Sequence, residues 1–149
     1  MAQAIDSYGL NSTQIFLEAG IDLHEIKKPN SRLATLNMIQ VWKQAVEQSN
    51  DPYIALRVAQ FFQPSAFSAL GMALAASRHV YDALHRASRY SQIISDGSNT
   101  SIEEDDAHVA FMVLVRPPLE FPPNPLGIEA LFSSMFSVLK TIAGSSLHA

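Results

Sequence analysis

The chain holds no cysteine, which excludes disulfides, thiol nucleophiles and thiolate zinc sites and fits a reducing compartment. Charge is scarce as well: Asp, Glu, Lys and Arg make up 16% of the 149 residues, against roughly 25% in an average globular protein. What charge there is sums to −4, with ten Lys and Arg scattered along the chain. Direct binding to a duplex needs clustered cations that displace counterions from phosphate, so that mode is disfavoured. Neither a G-x-G-x-x-G nor a Walker loop occurs, which leaves nucleotide chemistry without an anchor. The five histidines never stand four apart beside an acidic residue, so no zinc box is present. No metal and no cofactor are expected. The start, MAQAIDSYGLNSTQ, lacks the basic and apolar regions of a secretory signal. The apolar stretch from Ala66 to Ser77 is too short to span a bilayer. The expectation is a cytoplasmic protein that does not engage membrane.

Hydrophobic residues, by contrast, make up 48% of the chain. With so thin a polar shell, either several apolar helices are buried or part of the surface is covered by another domain or subunit. The length fits one domain, residues 1–149, large enough to bury a core.

Patterning predicts a mostly helical α+β fold. Asn11-Ser12 can cap a helix from Thr13 to Ala19, closed by Gly20 in a left-handed conformation. Lys27-Lys28-Pro29-Asn30 is a turn, and Ser31 to Ala34 is extended. Thr35 caps a helix with Leu36, Ile39, Trp42 and Val46 on one face, while Lys43 and Glu47 pair weakly on the other. Pro52 starts a helix running to about Phe62. Pro64 opens another, carrying Phe67, Leu70, Gly71, Leu74 and Ala75 on one stripe and small or apolar residues elsewhere, so burial on most sides is expected. Gly71 costs that helix about 1 kcal/mol relative to Ala, and close packing against another backbone is a physical motive for it.

An amphipathic helix follows from about Val80 to Ile94, with Ser77 or His79 at its corner and Asp82 in its first turn. Ser95-Asp96-Gly97-Ser98-Asn99 turns the chain. Thr100–Glu104 and His108–Val115 then form an antiparallel hairpin around Asp105-Asp106. The run Val109-Ala110-Phe111-Met112-Val113-Leu114-Val115 is so apolar that it asks for cover on both faces. Five prolines between Arg116 and Pro125 make a stiff connector. A last helix from about Leu126 places Ile128, Leu131, Phe132, Met135, Leu139 and Ile142 on one face, and Gly144 ends it.

Few residues here suit chemistry. Ser77-Arg78-His79 has no acid placed to orient the histidine and no nucleophile-elbow glycines, which makes it a helical corner. Glu103-Glu104-Asp105-Asp106 lacks the alternating ligands and central glycine of a calcium loop and reads as a solvated hairpin tip. Arg32, Arg89 and Tyr90 are the polar candidates for ligand contact, because a guanidinium can grip a carboxylate with two prongs. Trp42 and Phe67 serve as core or as apolar walls of a ligand cavity.

One ordered series of short segments goes further. It runs through Ala19-Gly20-Ile21, Pro29, Arg32-Leu33, Trp42, Asp51-Pro52, Ala55-Leu56-Arg57-Val58-Ala59, Leu70-Gly71, Ala75-Ala76-Ser77, Asp82-Ala83-Leu84 and Arg89-Tyr90. In order and spacing it resembles the N-terminal sensor domain, labelled arabinose-binding-like, of one branch of AraC-type bacterial transcription regulators. The resemblance covers roughly residues 14–115. It implies an effector-binding and dimerisation module ahead of a C-terminal helix-turn-helix DNA-binding domain that is absent here, so that DNA is reached only through that domain. Arabinose itself is not carried over. His79 departs from the Thr or Ser common at that cap. The resemblance also implies strands after the last helix, so part of the sheet would lie beyond Ala149.

The sequence therefore points to a regulatory domain that binds a small organic effector at Arg32, Trp42, Phe67, Arg89 and Tyr90, forms a homodimer, and is not an enzyme. The alternatives are a ligand-free dimerisation module and, more remotely, a small hydrolase or isomerase using a histidine with Glu103 or Glu104.

Overall fold

The computed structural model describes residues 1–27, 31, 33–93, 98–106, 108–115 and 124–144. Outside that set lie Arg32, the Lys28-Pro29-Asn30 part of the first turn, the Ser95-Asp96-Gly97 turn, the connector from Arg116 to Pro123 and the tail from Ser145. The described part is mostly helical with one two-stranded antiparallel sheet, an α+β fold. It divides into two compact units, Met1–Phe61 with Asn124–Ser134, and Phe62–Pro123 with Met135–Ala149.

The first unit begins with α1 (Ala2–Asp6), a short helix that the sequence pattern did not announce. In α2 (Ser12–Glu18) the Asn11 side chain caps the first turn by accepting from the Gln14 N–H at 3.1 Å, and Gly20 follows at φ +77°. Asp6 joins the two helices by accepting from the Ser12 N–H. The third helix, α3 (Thr35–Ser49), starts one residue earlier than a Thr35 cap would require: Ala34 holds the cap position and no side chain bonds there. It closes on Asn50 at φ 53°, a left-handed residue that asparagine tolerates. Lys43 and Glu47 meet at 4.0 Å on its exposed face.

The helix expected from Pro52 to Phe62 is two pieces, α4 (Ile54–Arg57) and a tighter 3-10 segment, Val58–Phe61. Ile5, Ile15, Phe16, Ile21, Val41, Trp42, Ala45, Ile54 and Ala55 form this unit's core, with Leu126 and Ala130 packed against it. At its rim, the Tyr8 hydroxyl donates to Asp51 Oδ2 at 2.5 Å. Arg57 Nε donates to Ser7 Oγ at 3.0 Å, and its guanidinium lies 5.1 Å from the Tyr8 ring centroid.

The second unit opens with a 3-10 turn, Pro64–Phe67, and then α5 (Ser68–Ala75). Only Leu70, Gly71 and Leu74 of that helix are buried. Met72 is 58% exposed, so burial on most sides is not what the described residues give. Gly71 does meet another backbone: a Cβ there would lie 1.7 Å from the Pro64 carbonyl oxygen. The next helix, α6 (Val80–Tyr90), buries Ala83 and Ala87. His79 occupies its cap position without a side-chain bond, while the Ser77 hydroxyl donates back to the Ala73 carbonyl.

Strands β1 (Ser98–Glu104) and β2 (Val109–Val115) pair antiparallel, with Ile102 opposite Phe111 and Ser101 opposite Met112. The tip is closed by Asp105, whose N–H donates to the His108 carbonyl and whose side chain accepts from the His108 N–H. Among the described residues no further strand pairs with β2. Leu70, Leu74, Ala83, Ala87, Met135 and Val138 form the second core, flanked by Phe62, Leu84 and Phe111.

The last helix, α7 (Pro125–Ala143), contributes to both lists. Its expected apolar face is only partly the buried one: Ser134, Met135 and Val138 are buried, and Phe132 is 39% exposed. By length and composition α7 could cross a bilayer. Two of its residues, Met135 and Val138, are buried in the second core.

Candidate functional site

Helix α6 carries a polar stripe at Tyr81, His85 and Ser88, positions that share one face by helical spacing. On β1, Glu104 and Thr100 share one face of the hairpin by the strand's period of two. The two rows meet. The Tyr81 hydroxyl donates to Glu104, 3.1 Å from each carboxylate oxygen. His85 Nε2 lies 3.0 Å from Glu104 Oε1, and the Tyr81 and His85 rings are 4.3 Å apart. Toward the other end, Ser88 Oγ donates to the Thr100 carbonyl at 3.0 Å, and Thr100 Oγ1 donates back to the Ser88 carbonyl at 3.2 Å. Arg86 Nη1 donates to the Ala73 carbonyl at the end of α5. The bond to Glu104 raises the Tyr81 phenol above its ordinary value of 10.0, with desolvation and the Glu104 charge adding to it. Among the described residues no serine or threonine hydroxyl bonds to His85, and the bonds of the cluster link helix to strand.

Immediately beyond that stripe stand Arg89 and Tyr90, both exposed at the end of α6. Among the described residues neither side chain takes part in a hydrogen bond or ion pair. A guanidinium with no side-chain partner among the described residues, in the last turn of a helix, can pair with an external carboxylate. Phe67 is half-buried in the same unit, its ring centroid 4.7 Å from that of Phe62. Trp42 is 5% exposed and sits in the core of the first unit. Arg32 lies outside the described residues. Of the five, the structure brings Arg89 and Tyr90 together at one helix end, places Phe67 in the same unit, and assigns Trp42 to the other unit.

Sequence reasoning missed two further groups in the first unit. Gln44 Oε1 on α3 and Glu129 Oε2 on α7 are shut off from solvent and meet no hydrogen-bond partner. A buried acceptor without a donor costs about 1–3 kcal/mol, more when charged, and such groups are rare in folded proteins. Gln44 stands beside the exposed Lys43 and two turns' worth of polar surface on α3, whereas Glu129 is flanked by Gly127, Ile128, Ala130 and Leu131. Ser101 Oγ on β1 is a third such atom, in the second unit.

Residues 9–149 match the family model described as the arabinose-binding domain of AraC transcription regulator, N-terminal. Over 144 residues the chain is 22% identical to the ornithine utilization regulator of Pseudomonas aeruginosa. That alignment takes in 97% of this chain and 42% of the regulator, so the chain spans less than half the length of this curated relative.

Proposed function

Because the chain belongs to the family of arabinose-binding domains found at the N-terminus of AraC transcription regulators, we propose that it binds a small organic effector and, through that binding, controls an attached DNA-binding domain. Its part in transcription regulation, as a sensing domain, is supported by the family, and in our reading it is not an enzyme. The single observation that carries the reading is that the match extends over nearly the whole chain.

Effector binding would work by shifting an equilibrium between two arrangements of the regulator, which requires the effector to bind one of them more tightly. Arg89 and Tyr90 are our candidates for its polar contacts, with Arg32, Trp42 and Phe67 beside them. A carboxylate on the effector would suit the exposed Arg89 guanidinium. We propose further that the chain forms homodimers in the cytoplasm and that DNA is contacted only by the attached domain.

Native mass spectrometry of the purified chain tests these proposals together, since it reports a co-purified small molecule and a concentration-dependent dimer in one spectrum. L-ornithine, suggested by the relative's name, is the first probe to titrate. Arg89→Ala should weaken binding of a carboxylate effector about tenfold, the scale of one charge-assisted hydrogen bond. Its melting temperature should stay where it was, because among the described residues the Arg89 side chain has no partner to lose. A variant that binds as tightly as the native chain removes Arg89 from the site. A dimer that carries no small molecule and takes up no probe would favour a ligand-free dimerisation module.

A further inference from the structure

The helix that the residue pattern places from Pro64 onward is interrupted at one junction. Pro64 stands in a first turn, where proline is tolerated. Gln63 before it is extended as a cap residue should be, at φ −120° and ψ 140°, and no glycine or further proline follows until Gly71. Yet Ser68 sits at φ 52° and ψ −138°, close to the region that glycine alone occupies with ease. The kink folds the Pro64–Phe67 turn back on α5, and the Pro64 carbonyl oxygen enters the space left by the missing Gly71 side chain. The Phe67 ring, 4.7 Å from that of Phe62, belongs to the same turn. The other end of α5 is pinned: Leu70 and Leu74 are buried, and the Ala73 carbonyl accepts from both Ser77 Oγ and Arg86 Nη1. Local preference and observed backbone therefore disagree at the Phe67–Ser68 junction, toward the end of the segment that is not pinned.

We propose that Pro64–Ala75 is a two-state element of the fold, kinked in this structure and able to straighten into one continuous helix. Straightening needs only the Phe67–Ser68 backbone to rotate to φ and ψ of about −63° and −42°. In the straight form Pro64 and Gly71 stand about 10 Å apart along the axis, so the carbonyl oxygen leaves Gly71 and room for a Cβ opens. Relief of the Ser68 backbone favours the straight form, and the Phe67 contact with Phe62 favours the kinked one. Two discrete packings that differ by so little are the usual material of conformational switches. The inference stands on the backbone of the second unit and does not depend on effector binding.

Three variants of the whole chain separate the two forms, each followed by NMR backbone shifts of residues 65–68 and by urea unfolding. Ser68→Gly favours the kinked form, because glycine accepts a positive φ at no steric cost. Its urea midpoint should rise and its shifts should stay native. Gly71→Ala excludes the kinked form, since its Cβ would lie 1.7 Å from the Pro64 carbonyl oxygen. Residues 65–68 should then take helical Cα shifts, with a matching gain in far-UV helix signal, even as the urea midpoint falls. Ser68→Ala leaves the space at Gly71 intact and improves helix propensity, so it should move the same shifts part of the way. A folded Gly71→Ala chain that keeps native shifts at residues 65–68 overturns the proposal, as does a Ser68→Gly chain whose midpoint does not rise. If Gly71→Ala does not fold, Ser68→Ala decides: shifts that do not move toward helix overturn the proposal.

Discussion

Gly71 shows how one missing methyl group can be required. Alanine there would improve helix propensity by about 1 kcal/mol, yet its Cβ would lie 1.7 Å from the Pro64 carbonyl oxygen. That oxygen is backbone and cannot rotate away. Overpacking of this kind costs about 1–3 kcal/mol, so Gly71→Ala should lower the urea midpoint despite the better helix former. Gly127 is the control: a Cβ there meets the Asn124 side chain at 3.5 Å, an ordinary contact, and Gly127→Ala should be neutral or stabilising.

Asp51 gives a second residue-scale test. The Tyr8 hydroxyl, and after it the Tyr53 N–H, hold its carboxyl below the ordinary value of 3.8. The folded chain therefore binds this proton less readily than the unfolded chain does. The resulting stabilisation is present above the ordinary carboxylate value and is lost as pH falls through the lower folded value. Tyr8→Phe should move the Asp51 midpoint, read by NMR titration, up toward its ordinary value and flatten the acid limb of the stability curve. An unmoved midpoint would mean that the Tyr8 bond is not its cause.

At the scale of elements, caps and alternation could be read directly from the residue order, because each depends on neighbours in sequence. Asn11 caps α2 as its side-chain chemistry dictates, and Asn11→Ala should cost about 1 kcal/mol in denaturant melts. The hairpin likewise follows from a polar run and an apolar run on either side of Asp105-Asp106. Where the reading failed, the deciding interaction came from elsewhere in the chain. The segment after Pro52 carries helix formers throughout, yet from Val58 to Phe61 it tightens to a 3-10 turn. A periodic face for α7 could be drawn, but burial chose Met135 and Val138 and left Phe132 at the surface. Gln44 and Glu129 were illegible for the same reason: each is an ordinary polar residue on a helix, and only tertiary packing shuts off its oxygen. Arg89 and Tyr90 could be singled out, since a cation in the last turn of a helix is conspicuous in sequence.

For the whole molecule, the weak net charge of −4 bears on how the regulator divides its labour. Phosphate contacts supply the sequence-independent part of DNA affinity and need a concentration of Lys and Arg that this chain does not hold. The isolated chain should leave duplex DNA unshifted in a gel at physiological salt, with or without effector. A retarded band would show that this part of the regulator touches DNA itself.

The apolar strand β2 has a neighbour on one side only among the described residues, and Val109 and Leu114 on it are 45% and 52% exposed. Among the described residues no strand pairs with its outer margin, and the strand itself holds no lysine or proline to turn an extended polypeptide away. An exposed apolar strand margin of this kind is a template for strand addition, so the isolated chain is expected to gain thioflavin T signal on concentration, and a Leu114→Lys variant to gain less.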